Sequence, residues 1–311
     1  MITDEFWTIG DVVRKLRNDQ GITMQKLSLG LCSAATFSRI EANERDMDMM
    51  MAEIVLGRLG YSPDKFEIYT GQEELERYEL REEIQKKEKK GKYHQVIATA
   101  QQYEIKYRRN LTRLEEQFVS GCKGFAEWKL GELEKAEELV EQAVRITVPL
   151  DHGTWVENSV LSKKELELLG ILAEIYRNLG KTTEAFQLEY QIFHHLDRNS
   201  GKKIRMVEIY VRKGKRLAEF FVKNHEIKSA YEICQKSLSL LKETKKLYGL
   251  PDMMEWKARC EEELEKSQMI NEGTARTSFW RAYYLYGALG EKEKADRIKR
   301  YLKEQGQWES I

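Results

Sequence analysis

Proline is almost missing from this chain, with three in 311 residues. Helices can therefore run long, because little interrupts their hydrogen bonding. Cysteine is nearly as scarce: Cys32, Cys122, Cys234 and Cys260 lie far apart, with no C-x-x-C pair. That spacing excludes a disulfide-stapled scaffold or a zinc ribbon, and scattered thiols fit a reducing cytoplasm, the compartment expected here. Net charge is absent, 52 basic side chains facing 52 acidic ones. No basic tail advertises nucleic acid or an anionic surface. Hydrophobic runs are short, and none approaches the roughly 18 apolar residues of a membrane span. The start, Met1-Ile-Thr-Asp-Glu-Phe-Trp7, lacks the basic and apolar regions of a secretory signal. No membrane partner is expected.

Catalytic patterns are missing as well. His194 and His195 are neighbours, so on a helix they diverge, and no acidic or Cys partner stands at ligand spacing. There is no Gly-rich phosphate loop, G-x-S-x-G or H-E-x-x-H. We expect neither an enzyme nor a cofactor or metal site.

What is there is helix-forming sequence. Charged residues make up 33%, with Leu, Glu and Lys abundant, and no alternating apolar run suggests a strand. The chain is long enough for two domains. Its most informative stretch is residues 23–41. Thr23 precedes Met24, Leu27 and Leu31 at helical spacing; Ser33 precedes Phe37 and Ile40. Both hydroxyls suit helix starts, since they accept from otherwise orphaned N–H groups. Two such short helices need a third to cover them, and Ile9, Val12, Val13 and Leu16 supply it. Asp48 or its neighbour is expected to cap a fourth helix running through Leu59 and ended by Gly60, and Ser62-Pro63-Asp64 to start a fifth. A helix-turn-helix presents its second helix to a DNA major groove.

The residues Leu16-Arg-Asn-Asp-Gln-Gly-Ile-Thr23, Leu27, Ser33-Ala-Ala-Thr-Phe-Ser-Arg-Ile-Glu41 and Asn43-Glu-Arg45 resemble the Xre (Cro/CI-type) helix-turn-helix over about residues 6–68. The expected DNA contacts are Thr23, Gln25, Lys26, Ser33 and Thr36 on phosphates, with Ala34, Ala35, Ser38 and Arg39 at base edges. Residues 1–70 nonetheless carry eleven acidic and eight basic side chains. Phosphate affinity needs positive charge, which Arg14, Arg17, Lys26 and Arg39 could supply by gathering on one face with the acids elsewhere.

From about residue 75 a motif recurs. Gly131-Glu-Leu-Glu-Lys-Ala136 returns as Gly180 to Ala185 and Gly290 to Ala295, with looser versions at Gly91 to Val96 and His225 to Ala230. In each a helix ends, another begins, and the small residue lets the two approach. This resembles the turn of tetratricopeptide (TPR) repeats, best matched by Leu169, Leu172, Ala173, Tyr176, Gly180 and Ala185. Spacings of 40, 49, 45 and 65 residues exceed the usual period of about 34, so the hairpins are irregular, with an extra helix over Asp252–Ile270. Residues 150–160 read as a long loop, and Trp308 as a seal on the last hairpin. In Gly124, Gly131, Ala136, Val140 and Ala143 the same pattern appears with Glu127 in place of an aromatic.

The expected architecture is all-α: a five-helix Xre-type domain over 1–70, a helical linker over 71–90, and a TPR-like hairpin solenoid over 75–311. An Xre reader followed by irregular TPR-like repeats resembles the RNPP group of peptide-sensing regulators. That resemblance implies double-stranded operator DNA, a short peptide or protein in a concave groove, and a homodimer. Helix positions outside the packed ones nominate Phe125, Trp128, Lys129, Glu174, Arg177, Asn178, Arg212, Lys215 and Glu219. Arg suits a peptide carboxylate, and Asn pairs with extended backbone. The alternatives are a TPR-type scaffold with a docked N-terminal bundle, and a repressor whose repeats only dimerise.

Overall fold

Thr8 opens the first helix, α1 (Ile9–Asp19), by a reciprocal cap: its hydroxyl accepts from the Asp11 N–H, and the Asp11 carboxylate accepts from the Thr8 N–H. The computed structural model describes residues 8–61, 71–150, 159–198 and 200–308. All regular structure among them is helical, and no helix among them is long and apolar enough to cross a membrane. The chain divides into two compact units, residues 1–188 and 189–311.

In the first unit α2 (Met24–Ser28), α3 (Ala34–Glu41) and α4 (Met49–Arg58) follow α1. Thr23, Ser33 and Asp48 cap them, each side chain accepting from the N–H three residues on. Leu27, Phe37, Ile40, Val55, Leu56 and Leu59 form the core with Val13, and Ile9, Leu16, Met24 and Leu31 pack against it. Val12, also expected in that cover, is half-buried and takes no part in the cluster. The helix expected from Ser62 lies outside the described residues, as do residues 151–158 of the loop expected over 150–160.

Arg17 corrects an expectation. It is buried, with Nε and Nη2 donating to Glu41 at 2.6 and 2.7 Å and Nη1 to the Ile22 carbonyl at 3.0 Å. It ties α1 to α3 and offers nothing to a phosphate. A guanidinium matches a carboxylate in two parallel bonds, so Glu41 captures it.

The repeats begin with α5 (Gln72–Lys89), paired with α6 (Tyr93–Lys106). Expected as a helical linker leading into the first repeat, α5 itself packs into the first hairpin. Ile84 joins Val96, Ala100 and Tyr103 in one core, and Arg77 donates to Glu115 at 2.6 Å. Tyr103 donates to the same carboxylate. Arg77 can be buried in this charge-rich helix because it meets the carboxylates of Glu73 and Glu115 instead of water.

Next come α7 (Arg113–Leu130), α8 (Leu133–Thr147), α9 (Lys163–Asn178) and α10 (Thr182–Asp197). Gly124 permits the α7–α8 packing, since a Cβ there would lie 2.6 Å from Val140 Cγ2. Glu127, at the aromatic position, is buried and bonded to Lys135 at 2.5 Å.

The second unit holds α11 (Ser200–Arg205), α12 (Val207–Lys223), α13 (Ile227–Thr244), α14 (Leu250–Lys266), α15 (Thr274–Ala288) and α16 (Lys292–Glu304). The extra helix is α14, which packs on both α13 and α15. Trp308 stacks on Trp280 at 4.3 Å and meets Tyr283 edge-on, closing the α15–α16 core as expected.

The repeated motif explains the turns in both units. Gly91, Gly131, Gly180 and Gly290 have φ of +69, +93, +77 and +77°, and His225 has +61°. Five residues on, Val96, Ala136, Ala185, Ala230 and Ala295 are all buried. A left-handed residue reverses the chain, and a small or compact side chain then lets the returning helix settle.

Candidate DNA-reading helix and ligand cavity

The helix α3 is held by its buried side and offers the other. Phe37 and Ile40 are in the core; Ala35, Ser38 and Arg39 are exposed, and Ala34 and Thr36 are half-buried. Ser33 Oγ accepts from the Thr36 N–H at 3.1 Å and lies 3.0 Å from the Thr36 hydroxyl. Thr23, Gln25 and Lys26 are exposed at the start of α2. Every nominated DNA contact thus lies at or near the surface. Of the four cations expected to gather, Arg17 is withdrawn, and Arg14 is bonded to Asp11 at 3.1 Å. Lys26 and Arg39 remain exposed on these two helices.

The helix-turn-helix segment is anchored to the repeats of its own unit. Arg58 is 1% exposed. Its Nη1 donates to the carbonyls of Leu27 and Leu29, both at 2.7 Å, and its Nε and Nη2 reach Glu165 at 3.2 and 2.6 Å. Glu165 also accepts from the Ser162 N–H at 2.8 Å, capping α9. Burial pushes this carboxyl up, but the charge and hydrogen bonds of Arg58 outweigh it and hold it below the ordinary value. The turn before α3 touches α8: a Cβ on Gly30 would lie 2.5 Å from the Thr147 carbonyl oxygen.

Beside this anchor is a cavity of about 300 Å³. Its walls come from Met50, Glu53 and Ile54 on α4, Gln85 and Glu88 on α5, Phe118, Gly121 and Phe125 on α7, and Lys164, Leu168 and Ile171 on α9. A volume of this size admits a small ligand or one or two side chains. Burial pushes the Glu88 carboxyl up, opposed by a hydrogen bond with the Cys122 thiol and the charge of Lys89. Of these wall residues only Phe125 was nominated from sequence. Phe118, seven residues before it on the same helix face, is the signal that would have extended the reading.

Trp128 and Asn178 do come together: the indole Nε1 donates to Asn178 Oδ1 at 2.8 Å. Lys129 lies 3.6 Å over the Trp128 ring, and Phe125 meets Trp128 edge-on at 5.7 Å. Arg177 is half-buried and bonded to Glu174 at 2.6 Å on its own helix. In the second unit Arg212 is exposed, while Lys215 is bonded to Asp252 at 2.6 Å. Both line a hollow with Leu247, Tyr248 and Leu289. Glu219 pairs with Lys223 at 3.0 Å.

No protein-family model matches the chain, and no curated protein is similar to it in sequence. Solved structures are similar in fold. Apo PlcR of Bacillus thuringiensis is 14% identical with a TM-score of 0.51, over 94% of this chain and 98% of that one. The apo form of RapI is 11% identical with a TM-score of 0.56, over 73% of this chain and 76% of that one. PlcR in complex with the peptide PapR7 and DNA is 15% identical with a TM-score of 0.46, over 93% and 98%. The chain has the all-helical, TPR-like fold expected from its resemblance to the RNPP group.

Proposed function

We propose that the protein is a cytoplasmic transcription regulator in which residues 1–70 read an operator as a homodimer. In this reading residues 71–90 lead into the repeats, and residues 75–311 take a short peptide or protein partner that alters DNA binding. One observation carries it: a helix-turn-helix core that leaves Thr23, Gln25, Lys26, Ala35, Ser38 and Arg39 together at the surface of two short helices. PlcR, whose apo form shares the fold, is itself known bound to a peptide and DNA. No catalytic role is proposed.

Selection of bound duplexes from random DNA at moderate salt tests the reading. The expected outcome is a recurring sequence in two half-sites roughly 34 Å apart, or a multiple of that. Recovery of unrelated sequences would overturn it. The anchoring of Arg58 on Glu165 favours a second reading, a scaffold whose N-terminal bundle merely docks on the repeats. Failure to retain any duplex selects that one.

A further inference from the structure

In the second unit a hollow of about 270 Å³ is lined by three arginines, Arg259 of α14 with Arg297 and Arg300 of α16. Two of them share one carboxylate, that of Glu255, which is 5% exposed. Glu255 Oε1 accepts from Arg259 Nη2 at 2.9 Å. Its Oε2 accepts from Arg297 Nη2 at 2.6 Å and from the Tyr286 hydroxyl at 3.0 Å. Both oxygens are therefore engaged, while each guanidinium spends a single nitrogen on them. Arg259 is braced further by the rings of Trp256 and Tyr301, whose centroids lie 5.6 and 5.9 Å from its Cζ. Arg300 is exposed and has no hydrogen bond or ion pair among the described residues. Glu304 lines the same hollow, exposed and likewise unpaired among the described residues. The lining thus sets three positive groups against two negative ones, and the buried negative one is already taken. Ile298 and Tyr301 add apolar surface.

We infer that this hollow binds the phosphate of a small, soluble phosphomonoester. A guanidinium fork pairs with two oxygens of a carboxylate or a phosphate, and a lone carboxylate needs only one fork. Three forks around one hollow match a tetrahedral group with three terminal oxygens and about two negative charges at pH 7. A phosphodiester has one charge and one terminal oxygen fewer. The carbon part of the ester lies against Ile298 and Tyr301. Glu255 acts as a positioning residue: it holds Arg259 and Arg297 in place before the anion arrives, so that only Arg300 has to be ordered on binding. Glu304 opposes the anion and limits its affinity. Every group named belongs to the second unit, and the site stands independently of the DNA-reading function proposed above.

The test is titration calorimetry of the full chain at moderate salt with three probes: phenyl phosphate, its methyl ester (methyl phenyl phosphate) and inorganic phosphate. Phenyl phosphate is expected to bind about tenfold more tightly than the methyl ester, the gain of one charge-assisted contact. Inorganic phosphate, which has nothing to lay on Ile298 and Tyr301, should bind more weakly than phenyl phosphate. Arg300→Ala should weaken phenyl phosphate about tenfold and leave the urea midpoint unchanged, because Arg300 holds no other group. Arg259→Lys, which keeps the charge but loses the fork, should weaken it as well. Glu304→Gln should tighten it. Equal binding of monoester and methyl ester, binding that survives Arg300→Ala, or no binding of any probe would each overturn the inference. A lipid headgroup offers the same chemistry, so sedimentation with phosphatidylcholine vesicles carrying phosphatidic acid is a further arm. The chain is expected to stay in the supernatant, and pelleting that Arg300→Ala abolishes would overturn the soluble assignment.

Discussion

At the residue scale, Lys26 and Arg39 are both exposed, yet they are expected to differ. Arg39 lies on α3, where a guanidinium can donate two bonds to a guanine, and Lys26 lies on α2, where the proposed reading assigns it to a phosphate. Arg39→Ala should cost about 1–3 kcal/mol on the selected duplex and relax preference at one base pair. Lys26→Ala should weaken all duplexes alike and flatten the salt slope. Filter binding to selected and random DNA over a salt series separates the two; equal losses on both duplexes would make Arg39 a phosphate anchor. A second residue is strained. His225 holds the left-handed turn position that glycine fills in the other four motifs. A Cβ is disfavoured there, so His225→Gly should stabilise the chain by about 1 kcal/mol, read as a shift in urea midpoint. A midpoint that falls would mean the imidazole is making a contact worth more than the strain.

At the element scale, α4 and α9 are joined through one buried ion pair. Glu165→Gln should destabilise by about 3–5 kcal/mol, because Arg58 is left buried without its counter-charge. Replacing the pair together, Arg58→Met with Glu165→Leu, should cost less than either change alone. The pH dependence follows from the direction of the shift. The folded carboxyl lies below its ordinary value near 4.5, so the unfolded chain takes up the proton first as pH falls. The contribution is full above pH 4.5 and is lost as the pH drops through the folded value. Urea denaturation of the wild type at pH 7 and at pH 3 should show a loss that the Glu165→Gln protein lacks. Parallel curves for the two proteins would assign acid sensitivity to other carboxylates.

At the scale of the whole molecule, the proposed reading gives α3, a helix of eight residues, few base pairs to cover, and a second copy doubles the contacts. Sedimentation is expected to give a dimer on DNA, and a monomer both free and bound would contradict it. The nominated sensing residues divide between the two compact units, with Trp128, Glu174, Arg177 and Asn178 in the first and Arg212, Lys215 and Glu219 in the second. Their engagement also differs from what residue type suggests. Arg177 is turned to Glu174 and Lys215 to Asp252, so neither presents an unmatched charge.

The sequence alone determined the helices and their turns, because those depend on neighbours in the chain. Thr23, Ser33 and Asp48 cap from three residues away, and the recurring motif marks the hairpin turns at Gly131, Gly180 and Gly290. The surface of α3 was legible too, since Phe37 and Ile40 fix which side is inward. What the tertiary structure decided are pairings across long separations. Whether Arg17 faces DNA or Glu41, whether Arg58 is solvated or clasped by a carboxylate 107 residues on, and whether α5 is a strut or a packed helix all depend on where a partner arrives. Charged side chains are long and can be satisfied by water or by one another, so their type sets no direction. The cavity is of the same kind: four helices leave it between them, and no local pattern records a space.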